Sequence, residues 1–459
     1  MEVYMNHTRA LADFCSNLTI DDLPEEVVGK AKLCILDYVA NIYGSLELSA
    51  VANVIAYIKS IEQKGNITAL GCGFKTNIHL AAFINGTTAE AVEAQDGVRF
   101  GGNHPCAAVI PAAIAVAEER GLDGRKLIEA VVAGYEAANR PAAAMHPWHT
   151  LSGFLPTGTC GTFGAAAASA KLYGFDNDQM LNAIANAGYL LPISMAEHLM
   201  GGHTIKIVQG GQAASAGIMA AGLAGSGLTG TPFVLEGSAL NGGFTQITTR
   251  AAPKLNLISD ALGKTFSIMD VYFKPYTACR HTHGAAQAVL EMSERTDIQT
   301  ADIEKVEVHT YGIAELAVGK GVSISDSFVS AQFSIPYVVA ACLLDGELGP
   351  KQLTEKRMAD PQVIGLSKKV SVKTDETLNQ QYPGKTASRV AIQFKNRETI
   401  SRQIDIPKGD PRDPMTAMDI AGKVKKFAGN RNDRKIDNLI ETILNLETTA
   451  DIRQITDMI

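Results

Sequence analysis

The chain has 459 residues, 46% hydrophobic and 19% charged, enough for two or three domain-sized units whose core needs neither disulfides nor metals for stability. Its formal net charge of -7, with no long run of one sign, argues against nucleic acid as a partner, because a basic face is needed to displace counterions from phosphates. The seven cysteines are odd in number and no two lie within four residues, so paired-cysteine redox, zinc-ribbon and ferredoxin spacings are absent and reduced, mostly buried thiols are expected.

The N-terminal stretch MEVYMNHTRALADF carries Glu2 and no apolar core segment. Neither a secretory signal nor a transit peptide is expected there, and the cytoplasm is the default compartment. From about residue 20 to 260 the pattern is helical. Residues 23–43 place Val27, Val28, Ala31, Ile35, Val39 and Ile42 on roughly one face, the 3.6-residue period of an amphipathic helix. Further helices are predicted over 78–92, 107–120, 124–138, 162–172 and 209–223, joined by glycine-containing turns such as 119–124. The small-residue runs that begin at Gly164 and Ala213 suggest helices packed at close approach. Residues 207–235 are uncharged over a length that would cross a bilayer, but Gln209, Gln212, Ser215 and the Gly-Ser-Gly turn at 225–227 punctuate them. They read as a buried helix and a turn, with no membrane partner.

Near residue 265 the period changes to two, with strand-like runs at 305–310 and 369–373 and a hairpin around Asn396-Arg397 within 388–405. Helices over 283–294 and 330–344 fall between them. A Pro-rich link at 407–414 follows, and helical pattern resumes from 415. The expected fold is mainly α: an all-helical domain built from both chain ends, 1–264 and 406–459, with an α+β lid inserted over 265–405.

Four places gather polar chemistry. Asp96, Arg99, Asn103, His104 and Cys106 share a Gly-rich loop between two predicted helices, and a carboxylate, a guanidinium and an imidazole before a helix N-terminus can bind and protonate an anion. Taken alone, His104 would equally cap a turn. Lys274, Tyr276, Arg280, His281 and His283 concentrate positive charge within ten residues of an acidic protein, as an anion site requires. His281 and His283 would share one face of a strand, yet no third ligand stands at a recognisable spacing, so no metal is expected. Lys206 is an isolated cation entering an apolar, small-residue helix, and a snorkelling surface lysine is its bland alternative. Tyr337 lies on an apolar helix, where a core phenol with one hydrogen bond is the bland alternative. Arg140 and the loop containing His146, Trp148 and His149 complete the set.

These clusters, in this order, resemble the MmgE/PrpD family over nearly the whole length. The matching stretches are the His104-Pro loop, Gly134-Tyr-Glu with Arg140, Gly153-Phe-x-x-Thr-Gly-Thr, Lys206 with Gly-Gly-x-Ala-Ala, Leu235-Glu-Gly, Lys274-Pro-Tyr-x-x-Cys-Arg-His-Thr-His and residues 333–346. The resemblance implies a homodimer, a site between the two domains, no cofactor, and a small anionic carboxylate as substrate. It carries over Asp96, His104, Lys206, His283 and Tyr337 as catalytic, and Arg99, Arg140, Lys274, Arg280 and His281 as substrate-binding. His104 or Lys206 is the expected base and Tyr337 or His283 the expected proton donor. The implied activity is dehydration of a hydroxy di- or tricarboxylate, with epimerisation or decarboxylation of a related acid, or a catalytically silent binder, as alternatives. Two departures from the family pattern stand out: Leu155 where many relatives have histidine, and a thinned acidic cluster, Glu93-Ala-Gln-Asp96, with Cys106 at a common glycine position.

Overall fold

In a computed structural model, which describes residues 6–61, 64–323 and 325–459, the first half of the chain is helical as its periodicity predicts. Helix Glu25–Ser45 begins with Glu25 and Glu26 in its first turn, where carboxylates favour the positive end of the helix dipole. Val27, Ala31, Ile35 and Val39 turn into the core. Helices Ile78–Ala91, Cys106–Arg120, Gly124–Met145, Pro156–Tyr173 and Gln209–Gly225 pack around one another and bury almost every alanine they carry.

The close approach expected from the small residues is present. A Cβ on Gly164 would stand 2.5 Å from the carbonyl oxygen of Gly134, and one on Gly211 would stand 2.0 Å from that of Phe83. Side chains at these positions would force the helices apart and open voids that a close-packed interior does not tolerate. The Gly211 contact sets the start of helix Gln209–Gly225 against helix Ile78–Ala91, and this junction carries the polar cluster described below.

Two short pairings were not predicted in the helical part. Ile67–Ala69 pairs antiparallel with Phe74–Thr76, and Gly97–Val98 pairs antiparallel with Val271–Tyr272. The second clips the 96–104 loop to the segment leading into Lys274 and Arg280.

The period-two runs form one four-stranded sheet in the order Val370–Thr374, Ile303–Thr310, Ser388–Phe394, Thr399–Ile404. The first pair is parallel and the others antiparallel. Arg397, at φ 73°, takes the left-handed position in the hairpin turn. Helices His283–Arg295 and Ile335–Asp345 pack on each other and against this sheet. The single helix expected over 330–344 is instead two, Phe328–Gln332 and Ile335–Asp345. Ser334 caps the second through Tyr337 N at 3.2 Å, and Pro336 occupies its first turn, where a missing N–H costs nothing.

C-terminal helices Ala417–Ala428 and Asp433–Leu444 return to pack on Glu25–Ser45. Lys423 Nζ donates to Asp37 Oδ1 at 2.6 Å and to the carbonyl of Ala94 at 2.6 Å, tying both ends of the chain to the segment before the Gly-rich loop. A single hydrophobic cluster runs from Leu11 through Val306 and Val390 to Ile455. Among the described residues no single helix is long and apolar enough to cross a membrane.

Candidate active site

Helix Ile78–Ala91 ends two residues before Glu93, whose backbone turns left-handed at φ 54°. A side chain there costs about 1 kcal/mol relative to glycine. The turn aims the Glu93 carboxylate between two buried ammonium groups. Lys206 Nζ lies 2.5 Å from Oε2, and Lys274 Nζ lies 2.7 Å from Oε1. Lys206 also meets Glu90 Oε1 at 3.1 Å. Glu90 is fixed in turn by Gln209 Nε2 at 2.5 Å and by the backbone N–H of Gly210 at 3.0 Å, at the positive end of helix Gln209–Gly225. Burial alone would raise the pKa of Glu93, but the ammonium groups of Lys206 and Lys274 outweigh it and hold the carboxyl well below the usual range. Lys206, conversely, is held above its ordinary value, because Glu93 and Glu90 outweigh its burial.

His104 stands at the edge of this cluster. Its Nδ1 is 2.6 Å from the carbonyl oxygen of Asp96, so that nitrogen carries the proton and donates. Nε2 is left facing Glu93 Oε1 at 4.0 Å. Burial, together with the positive field of Lys274, pushes the imidazole down to about 3, so it is neutral near pH 7.

Arg280 forms a neighbouring wall. Its Nη1 and Nη2 donate to the carbonyls of Lys408 and Pro407 at 2.7 and 2.6 Å, and its guanidinium stacks 5.0 Å from the Tyr272 ring centroid. The residue is only 8% exposed. Among the described residues no carboxylate lies within ion-pair distance of it. His281 Nδ1 pairs with Tyr311 Oη at 2.5 Å. Arg99 meets Asp410 at 3.2 Å.

These groups surround a cavity of about 240 Å³ whose wall includes Glu93, Arg99, His104, His146, Lys206, Tyr272, Cys279, Arg280, His281 and Asp410 on its polar side. Leu151, Leu155, Leu199, Met200, Ile313 and Phe333 line the rest. A concave site with convergent cations and an apolar wall suits a small polyanion.

Family models of the MmgE/PrpD N-terminal domain and the MmgE/PrpD C-terminal domain match residues 9–255 and 276–448. The chain belongs to the MmgE/PrpD family. It is similar to cis-aconitate decarboxylase of Aspergillus terreus (strain NIH 2624 / FGSC A1156), at 26% identity over 98% of this chain and 95% of that protein. The cis-aconitate decarboxylase of Homo sapiens is also 26% identical, over 98% of this chain and 94% of its own length. A cis-aconitate decarboxylase-like protein, oryM, of Aspergillus oryzae (strain ATCC 42149 / RIB 40) is 26% identical over 99% and 97%.

In this MmgE/PrpD chain five expected site residues stand apart from the cavity: Lys274, fully buried behind Glu93, and four whose side chains are taken up elsewhere. Asp96 is fully buried behind His104: its carboxylate accepts from Tyr135 Oη at 2.6 Å and from Cys106 N at 3.2 Å, so it braces the loop. Its carboxyl is pushed up to about 6, chiefly by burial. His283 is not on a strand with His281. His281 lies in the turn Arg280–Thr282 and His283 opens helix His283–Arg295. Both nitrogens of His283 are engaged, Nε2 by Ala278 O at 3.0 Å and Nδ1 by Arg280 at 3.5 Å, which leaves no proton site for a substrate. The Tyr337 hydroxyl donates to the carbonyl of Gln352 inside the core. Arg140 is held by Glu136 and by the carbonyls of Leu257, Asp260 and Thr265, and organises the 257–265 segment.

Three contributors carried no assigned role in the sequence. Glu90 is the lone acid of helix Ile78–Ala91, a signal that was available. Glu93 lies past the end of that helix, and only its left-handed turn brings its carboxylate to the same lysine as Glu90. His146 sat in a loop whose packing explained it equally well, and nothing in the sequence brings residue 146 to residues 104 and 281.

Proposed function

We propose that this chain is a lyase that breaks a bond at the carbon next to a carboxylate in a small di- or tricarboxylate, and that its reaction is decarboxylation of an unsaturated tricarboxylate of the cis-aconitate kind. The observation that carries the reading is Arg280: a buried guanidinium in the cavity wall whose partners are carbonyls, an imidazole and the Tyr272 ring, with no carboxylate among the described residues at ion-pair distance to neutralise it. An uncompensated buried charge is costly, and a substrate carboxylate compensates it.

The rest of the cavity suits the chemistry. One carboxylate meets Arg280 and a second faces Lys206, with Lys274 adding its field from behind Glu93. There, preorganised ammonium groups stabilise the enediolate-like charge as it develops, and they act more strongly in an enclosed site than in water. The departing carboxylate faces Leu151, Leu155, Leu199 and Met200, where a charged group loses hydration and neutral carbon dioxide does not. The carbon–carbon bond to that carboxylate breaks, its electron pair forms the new double bond, and the former double bond takes up a proton.

Dehydration, the activity first expected, relied on Tyr337 or His283 to protonate the departing hydroxyl, and neither lines the cavity. The decarboxylase relatives support the same preference. The deciding experiment is proton NMR in heavy water with cis-aconitate, citrate, 2-methylcitrate, malate and iminodisuccinate. Loss of a carboxyl carbon with one deuterium incorporated and a new methylene alkene supports the proposal. An alkene without carbon dioxide marks a dehydratase, exchange without an alkene an epimerase, and silence across the panel a binder.

A further inference from the structure

Three imidazoles line the cavity, and they are not equivalent. His104 and His281 each have Nδ1 committed, to Asp96 O and Tyr311 Oη, and both are depressed by burial together with the charge of Lys274. The His146 ring forms no hydrogen bond with any described residue, its backbone N–H alone donating to Ala143 O, and its Nδ1 is buried without a partner. A Cβ on Gly102 would stand 3.8 Å from that nitrogen, so the ring lies against the loop that carries His104. It caps the C-terminal end of the 22-residue helix Gly124–Met145, where the helix dipole favours a positive charge.

We infer that His146 is the acid that delivers the proton to the substrate carbon, the role that neither Tyr337 nor His283 can fill. This rests on the carboxylate-lyase reading above. In the unliganded protein burial holds His146 at about 4, aided only by Lys254, an exposed lysine whose field water and salt screen. The charge of His146 also acts on His281, so the two rings share the site. A bound tricarboxylate brings negative charge into the cavity. At His104 and His281 Lys274 opposes the resulting protonation, whereas at His146 no ammonium of the cluster does. The substrate therefore charges the ring that has a free nitrogen. When the carbon–carbon bond breaks and its electron pair forms the new alkene, the π pair of the old one takes the proton from the His146 imidazolium. The ring returns to neutral and is reprotonated from water.

The test uses the whole protein labelled with 15N at histidine, with propane-1,2,3-tricarboxylate as probe. This acid has neither a double bond nor a hydroxyl, so it can be neither decarboxylated by allylic shift nor dehydrated. At pH 7 the His146 resonances, assigned by their loss in His146→Gln, are expected to move from neutral imidazole to imidazolium on saturation, while those of His104 and His281 stay neutral. His146→Gln is expected to keep the melting temperature and to bind the probe within about threefold, yet to lose about a hundredfold or more in turnover of the acid that wild type converts, the usual scale of a lost general acid. A His146 ring that stays neutral with probe bound, or a variant that turns over at more than a third of the wild-type rate, overturns the inference. Failure of wild type to bind the probe at all overturns the carboxylate reading itself, and the two failures are thereby told apart.

Discussion

Lys206 Nζ and Glu93 Oε2 meet at 2.5 Å at the floor of the cavity, and Glu93 reaches that point only because its backbone turns left-handed after helix Ile78–Ala91. The same carboxylate holds Lys274. Removing its charge leaves the buried Lys274 ammonium without an ion-pair partner among the described residues and Lys206 with Glu90 alone. Glu93→Gln is expected to cost about 3–5 kcal/mol of stability and to abolish turnover, whereas Glu93→Asp retains part of both. Urea denaturation with parallel rate measurements checks this, and full stability in Glu93→Gln contradicts it.

Acid sensitivity follows from the cavity imidazoles. Free histidine titrates at about 6.5, but His104 is held down to about 3 and His281 and His146 to about 4, burial being the main cause in each. Below about pH 6.5 the unfolded chain binds protons that the folded one refuses, so stability is fully present above that pH and falls as pH drops toward about 4. Glu93 adds its loss at lower pH, as the solution passes below the unfolded carboxyl value of about 4.3. The urea midpoint measured from pH 8 to 4 is expected to decline steadily, with a shallower slope in His146→Gln.

Arg280 is the proposed carboxylate anchor, and its planar fork is not reproduced by lysine. Arg280→Lys is expected to raise the KM for a tricarboxylate about tenfold to a hundredfold, the scale of a lost charged hydrogen bond, and to weaken propane-1,2,3-tricarboxylate binding in calorimetry by a similar factor. Unchanged affinity removes Arg280 from the site.

Asp37 and Lys423 form a buried pair at 2.6 Å between the two ends of the chain. Burial pushes Asp37 up and Lys423 down, each toward its neutral form. Lys423→Met alone is expected to cost about 3–5 kcal/mol, and adding Asp37→Leu to recover most of it. The remaining deficit reports the Ala94 carbonyl that loses its donor. Denaturation of the two single variants and the double one measures the coupling.

Tyr189, Ile193, Met195 and Leu228 are large apolar side chains at least half exposed, near one another in the chain or through the bond from Asn186 to Leu228 O. A second copy covering them is expected, in keeping with the homodimer that the family resemblance implies. Sedimentation is expected to show two 48.7 kDa chains together, and Tyr189→Asp with Ile193→Asp to yield single ones. A wild-type monomer at micromolar concentration contradicts this.

Periodicity by itself located the long helices and the strands of the four-stranded sheet, because burying one face leaves a 3.6- or 2-residue imprint on the chain, whereas the short pairings at 67–76 and at 97–98 with 271–272 and the break between 332 and 335 left none. Composition likewise foretold the close helix contact at Gly164, and clustered polar residues picked out the segment of Lys274 and Arg280 and the loop of His104, while Lys206 stood out only as an isolated cation until the family resemblance gave it a role. Tertiary structure decided the rest. Whether a polar side chain serves a substrate or the core depends on where its hydrogen bonds go, and those partners lie far away in sequence: Tyr337 is absorbed by Gln352, Arg140 by the 257–265 carbonyls and Asp96 by Tyr135. His146 entered for the converse reason. No described residue hydrogen-bonds its buried Nδ1, and an unmet hydrogen-bonding group exists only relative to neighbours that the folded chain alone supplies.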